Sequence, residues 1–297
     1  MKYFIILFFI LPAFAVSAQQ LATASLYDQH GMLHNPAVAG VQQHGMVGVS
    51  YRTMWDGMPG GPQTTIVFGS AYLKKVRLGI GGYFFNDVTG PTKRTGLEMA
   101  YAYHIPLRNN ASFSVGLEAR LQQFSIDKAK LQQSLGNDPV LAGDDSRFKG
   151  DAGLGFAYTS KKFQAGISVS QLIQSALDFY SGTYTRTEKA KLYRHYYLHS
   201  YYMIETDDET KIIPNILFIY LPNAPLEVQG GFRVEHRELF WWGVSIRARQ
   251  SFMLSAGLHI QKKFTVGYSF DLFSSPLSVY DKGSSANEIL LRYDFLK

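Results

Sequence analysis

The stretch "KKFTVGYSFDLF", residues 262–273, decides how this chain folds. Phe264, Val266, Tyr268, Phe270 and Leu272 fall on one face, and Thr265, Gly267, Ser269 and Asp271 fall on the other. Strict alternation of apolar and polar residues is the signature of a β-strand with two unlike environments. The same period returns in "NEILLRYDF", where Ile289, Leu291, Tyr293 and Phe295 oppose Glu288, Leu290, Arg292 and Asp294. In "SFSVGLEARLQ" it sets Phe113, Val115, Leu117, Ala119 and Leu121 against Ser114, Gly116, Glu118 and Arg120. "LEVQGGFRVE" places Val228, Gly230, Phe232 and Val234 opposite Glu227, Gln229, Gly231, Arg233 and Glu235.

Two features separate a barrel in lipid from a soluble sandwich. The apolar face stays clear of charge through nearly every strand, with aromatic residues near strand ends, as an interfacial girdle requires. The polar face mixes Glu and Arg with Gly and Ser, which suits a lumen where opposite charges pair. Composition agrees: 19 Tyr, 21 Phe and 27 Gly in 297 residues, with a mean hydropathy of −0.08. Past the N-terminus no apolar run approaches the ~20 residues of a spanning helix.

The alternation predicts fourteen strands, at 44–53, 63–72, 77–86, 94–104, 111–124, 148–159, 163–171, 190–205, 211–220, 225–235, 239–249, 251–261, 263–273 and 284–294. The expected fold is an all-β, up-and-down antiparallel transmembrane barrel spanning 44–297. The strand at 190–205 is aromatic on both faces, so its orientation is open. Connections after even strands are short and charged: "LKKVR", "IPLRNN", "TSKKF", "TDDET", "EHREL" and "QKKF". Those after odd strands are mostly longer (54–62, 87–93, 125–147, 172–189, 221–224 and 274–283), and only the eleventh, near "RARQS", is short. Short periplasmic turns and long external loops are the outer-membrane pattern. It predicts that both ends of the chain face the periplasm.

Residues 1–18, "MKYFIILFFILPAFAVSA", read as a secretory signal cut after Ala18. Residues 19–43 precede the first strand and contain the turn signal "NPAVAG". They are expected either to plug the periplasmic mouth or to hang free. The absence of cysteine excludes a disulfide framework, a thiolate metal site and acylation after the leader.

Catalytic motifs are missing: there is no GxSxG, HExxH or Walker loop, and "GIGG" at 79–82 is a small-residue strand face. His195 and His199 share a strand face about 13 Å apart, too far for one metal ion. The acidic run at 205–209 reads as a solvated turn, and "GDDS" at 143–146 is the better of two weak calcium candidates. No enzyme activity, cofactor or metal is expected. Basic residues are scattered among turns, so no nucleic acid is expected either; lipid phosphates or periplasmic partners suit them better.

Two motifs carry a resemblance. "NPAVAG" supplies Asn35, Pro36, Ala37 and Gly40; "YRTMWDGMPGGPQT" supplies Tyr51, Arg52, Trp55, Gly57, Pro59, Pro62 and Thr64. With "NDVTGP" at 86–91, "EMAYAYHIPL" at 98–107, "FKGDAGLGFAY" at 148–158, "RHYY" at 194–197 and "NEILLRY" at 287–293, the chain resembles the PorP/SprF family of outer-membrane proteins. That family is associated with type IX secretion and gliding motility in Bacteroidetes. "KGSSAN" before the last strand and the terminal Leu-Lys depart from its pattern. The resemblance implies a non-enzymatic barrel that docks, anchors or helps export a secreted protein, recognised by its C-terminal domain at the cell surface. It also implies association with other components of the secretion machinery.

Arg52, Trp55, Met58, Pro59 and Pro62 are the expected partner contacts, because a rigid, partly apolar loop buries area with little ordering. Arg52 enters from the lumen face and is placed to anchor the loop to lumen carboxylates. Trp55 also fits a plain girdle position. The competing reading is a solute channel, in which Glu98, Glu118, Arg120, Glu227, Arg233, Glu288 and Arg292 either line an open pore or close it by pairing.

Overall fold

A computed structural model of the protein describes residues 24–30, 32–55, 57–136, 145–176, 191–222, 224–274 and 285–295. The expected leader at 1–18, most of the loop tips and part of the 143–146 calcium candidate lie outside the described residues. Fifteen strands form one sheet: β1 Gly45–Met54, β2 Gln63–Leu73, β3 Leu78–Thr89, β4 Thr92–Pro106, β5 Ser112–Ile126, β6 Asp145–Thr159, β7 Phe163–Ser170, β8 His195–Tyr202, β9 Ile204–Glu205, β10 Thr210–Tyr220, β11 Glu227–His236, β12 Phe240–Arg247, β13 Ser251–Ile260, β14 Phe264–Phe273 and β15 Ser285–Phe295. Each pairs antiparallel with its neighbour, and β15 returns to β1 with Glu288 opposite Arg52. β8 and the two-residue β9 share one partner, β10. The result is a closed barrel of fourteen staves, which leaves no sheet edge to lipid.

The eighth stave is the one whose faces the sequence left open. It breaks at Met203, opposite the Ile213–Pro214 step of β10, where proline removes a ladder donor. Its orientation is now settled: His195 and Tyr197 are buried, while Tyr196, Leu198 and Tyr202 face outward.

Burial is inverted relative to a soluble protein. Leu97, Leu117, Leu121, Ile167, Leu258, Ile289 and Leu291 are exposed on the outer wall, whereas Glu98, Gln122, Asp271 and Glu288 are fully buried. A wall of exposed aliphatic side chains is stable only against hydrocarbon. Outward aromatics collect near strand ends, with Phe163 against both Tyr158 and Tyr202 at one end and Tyr196 against Tyr220 at the other.

Tight turns close one end. Asn109 and Asn110 take φ of 58° and 57° in the β4–β5 turn, and Ala111 N donates to Arg108 O at 3.3 Å. Asparagine tolerates this left-handed pair, which matches hairpin twist. Two connections at the opposite, long-loop end are also short. Residues 248–250 were expected to be, but 90–91 corrects the predicted longer loop at 87–93: β3 and β4 run on until Thr89 meets Thr92. "NDVTGPTKR" carries the strands outward because only Gly90, at φ 56°, has to turn.

Substituting Leu117→Arg, on the outer wall at 59% exposure, should lower folding stability by about 2–4 kcal/mol near the bilayer midplane. Val76→Arg, in a short turn, should stay within about 0.5 kcal/mol. Urea titration of the barrel in vesicles reads both.

Candidate functional site

The lumen is occupied by the chain's own N-terminal segment. Ala24, Leu26, Met32, Leu33, Ala37, Val38 and Ala39 are buried in one cluster with Phe68, Tyr83, Phe85, Tyr197 and Trp241 from the wall. The segment reaches much further than the predicted plug of one mouth. Ser25 lies level with Arg52, Asp271 and Glu288, toward the long-loop end, while Gly40 sits on Ser70 at the short-turn end, 2.7 Å from its hydroxyl. The first described residues are therefore at the opposite end of the lumen from Gly45 and Phe295, which pair at the short-turn rim.

Each residue of the "NPAVAG" motif has a physical task. Asn35 Oδ1 accepts from Ala37 N at 2.9 Å and caps the 3-10 turn Pro36–Val38. Its Nδ2 donates to Phe156 O at 3.0 Å and to His199 Nε2 at 3.1 Å. Pro36 opens the turn, where a missing N–H is harmless. Ala39 O accepts from His104 Nε2 at 2.8 Å, and Ser114 donates to the other ring nitrogen at 2.7 Å. Gly40 takes φ 69°, and a β-carbon there would press on Ala71 O and the Cα of Gly79.

The wall is cut to receive this turn. A β-carbon on Gly155 would overlap Asn35 Oδ1, one on Gly116 would overlap Ala37 N, and one on Gly79 would overlap Ala39 O. The lumen glycines that read as small strand positions are the seat of the plug.

Buried charges fasten the rest. Arg52, 2% exposed, binds Asp271 at 2.6 Å and Glu288 at 3.5 Å. Ser25 N donates to Glu288 at 2.6 Å and Ser25 Oγ to Asp271 at 2.8 Å. Ser50 and His30 reach Glu288 Oε1 at 2.9 and 3.2 Å. A second group sets Arg120 against Glu98 and against Glu118 at 2.8 Å, with Tyr83 at 3.0 Å. Arg233 pairs with Asp28 of the plug and with Glu235; Arg247 pairs with Glu227; Arg292 holds Asp294 and Gln29. All seven lumen charges named from the sequence are thus in ion pairs. Asp28 and Asp271 were not among them, because their partners Arg233 and Arg52 lie 205 and 219 residues away; Arg247 was not named either.

Beneath the plug a cavity of about 520 Å³ opens at the short-turn end, lined by Tyr27, Val38, Tyr201, Ile213, Arg233 and Arg292 among others. On its rim Lys262 and Lys211 hydrogen-bond Glu238 and hold its carboxyl down at about 2. The acidic turn at 205–209 disperses its charge: Asp207 accepts from the amides of Glu209 and Thr210, Glu209 pairs with Arg237, and Glu205 with Lys162.

At the long-loop end, Trp55 and residues 57–62 are braced. Met54 N donates to Pro62 O at 2.9 Å, Met58 N to Trp55 O at 2.8 Å, and Gly61 N to Met58 O at 3.0 Å. Gly90 N, in the next hairpin, donates to Gly60 O at 2.9 Å. Met58 and Pro59 are exposed. Trp55 is half-buried, leans on Phe273 at 6.4 Å and takes φ 56°, unusual for a bulky residue. Arg52 is placed differently from a loop contact: its guanidinium is enclosed in the lumen, so it secures the strand beneath the loop.

These features define an outer-membrane β-barrel plugged by its own N-terminal segment. Solved barrels share the fold. The monoaromatic hydrocarbon channel CymD superposes with a TM-score of 0.50 at 10% identity, covering 89% of this chain and 91% of that one. The outer membrane protein Omp33 of Acinetobacter baumannii gives 0.52 at 8%, over 85% and 98%. A Pseudomonas aeruginosa FadL homologue gives 0.52 at 10%, over 89% and 93%. No protein of curated function matches the sequence. The family model for the type IX secretion system membrane protein PorP/SprF matches residues 16–293, and the chain belongs to that family.

Gly155→Leu should expel the "NPAVAG" turn, making residues 24–43 protease-sensitive while the barrel keeps its heat-modifiable migration. Arg52→Ala should destabilise the barrel by about 3–5 kcal/mol, because two enclosed carboxylates lose their cation; urea titration measures it.

Proposed function

We propose that this protein is a non-enzymatic component of the type IX secretion machinery. In this reading it docks, anchors or helps export a secreted protein at the cell surface through that protein's C-terminal domain. One observation carries the reading: above the short-turn cavity the plug and its ion pairs occupy the lumen, so the surface left for recognition at the long-loop end is the rim. With short turns facing the periplasm, the braced loop 55–62 looks outward and presents Met58 and Pro59 in a shape already set. Pre-ordered apolar groups bind with little further loss of entropy. Trp55 acts as the fastener of that loop, and Pro62 as its lower hinge.

The channel reading draws on the cavity at the short-turn end, which would be the inner vestibule of a pore with the plug as its gate. Planar-bilayer recording separates the two. Docking expects the pure protein to be silent and a variant lacking 24–40 to conduct. Steady conductance by the intact protein favours the channel.

Affinity capture from outer membranes should recover a secreted protein through its C-terminal domain. Met58→Asp should reduce that capture about tenfold or more, as for a central apolar contact. Trp55→Ala should weaken it through a loosened loop, with the barrel still folded. Equal capture by both variants would remove the loop from the interface.

A further inference from the structure

The short-turn rim is unevenly charged. Lys74, Lys75 and Arg77 in the β2–β3 turn and Arg108 in the β4–β5 turn are exposed. Among the described residues, none of these four side chains has an ion pair or a hydrogen bond. Residues 40–44, 72–78 and 104–114, which build this sector, contain no Asp or Glu. The turns that follow are balanced instead: Lys162 pairs with Glu205, Arg237 with Glu209, and Lys211 and Lys262 share Glu238. Bases there meet acids from neighbouring turns, whereas over β2–β5 the turns supply none.

Both basic turns are held in shape. His104 N, on β4, donates to Arg77 O at 3.0 Å, and Arg77 takes φ 54°. Leu107 N donates to Ala111 O at 2.8 Å across the β4–β5 turn. Beside them lies another cavity, of about 430 Å³, lined by Gln43, Tyr72, Arg77, Asn110 and Ser112 among others. Tyr72 and Ser112 share the parity of the buried Ser70 and Ser114, which face the lumen. The cavity therefore opens inside the ring of turns, onto water rather than lipid. Val76 and Leu107 stand exposed next to the cations.

The spacing specifies what fits. Neighbouring strands lie ~4.8 Å apart, so turns two strands apart are separated by ~10 Å. An extended chain advances ~3.3 Å per residue, so carboxylates three residues apart span that gap. Such a chain serves both turns at once and lays its intervening apolar residues on Val76 and Leu107. A second copy of the sector would bring like charges together.

We propose that the β2–β5 sector of the short-turn rim is a docking surface for an extended acidic segment of a periplasmic protein. This goes beyond the surface-docking reading above and relies only on the short turns facing the periplasm.

The test uses the full-length protein in phosphatidylcholine nanodiscs with the peptides (Glu-Leu-Ser)₄ and (Lys-Leu-Ser)₄. A further peptide has the composition of the first with its glutamates in one block. Fluorescence anisotropy should show wild type binding (Glu-Leu-Ser)₄, more weakly as salt rises. Arg77→Glu with Arg108→Glu should lower that affinity about tenfold or more, since each reversal removes an attraction and adds a repulsion. Lys263→Glu, on the same rim outside the sector, should leave it unchanged. These are exposed turn positions, so the variants should keep the heat-modifiable migration of wild type. No binding by wild type would overturn the proposal, as would equal binding of the lysine or block peptide, or an equal loss in Lys263→Glu. Phosphatidylglycerol retained by wild type in detergent, and lost from the double variant, would assign the sector to a lipid headgroup and overturn it too. Capture of a secreted protein is read separately: its failure in wild type refutes surface docking and leaves this site standing.

Discussion

The enclosure of Arg52 by Asp271, Glu288 and Ser25 is the interaction on which the rest of the structure depends. Arg52 and Glu288 sit opposite each other where β15 meets β1, so the pair lies on the seam that closes the barrel. Closure is obligatory in lipid, because no water satisfies an open edge. Charges sealed inside need partners as well. The N-terminal segment supplies some of them, since Ser25, Asp28, Gln29 and His30 all bind charged groups of the wall. Barrel and plug are therefore complementary: the wall gives the plug a seat, and the plug completes the electrostatics of the wall.

This division of labour shapes what the protein can do. A lumen packed with Leu26, Met32, Phe68 and Trp241 has the character of a core. The two rims differ in build. At one, the cavity beside Tyr27 and Tyr201 opens under the plug. At the other, hydrogen bonds from β1 and from the β3–β4 hairpin hold the loop 55–62 in place. Membership of the PorP/SprF family associates the barrel with type IX secretion.

Much was legible in the sequence because its signals are local. Period-2 alternation located all fourteen staves, since lipid and lumen impose opposite polarity on successive residues. The short connection "IPLRNN" was legible from its length and charge, and Asn109 and Asn110 make its turn. The reading went astray where long-range packing decides. "NDVTGP" looks like a loop, yet β3 and β4 continue through most of it because each supplies the other's ladder. Arg52 does meet lumen carboxylates as its face suggested, but which ones was settled only by folding, since Asp271 and Glu288 lie more than two hundred residues away.

The sequence by itself determined the barrel, its strand number, the faces of most strands and the family, because these follow from alternation and from motifs carried on contiguous residues. Tertiary structure alone decided that residues 24–43 traverse the lumen. It also decided that lumen glycines at 79, 116 and 155 are the hollow in which Asn35, Ala37 and Ala39 rest. A glycine's place in a strand is visible from its neighbours in sequence. What its missing side chain makes room for depends on a segment folded back from far along the chain.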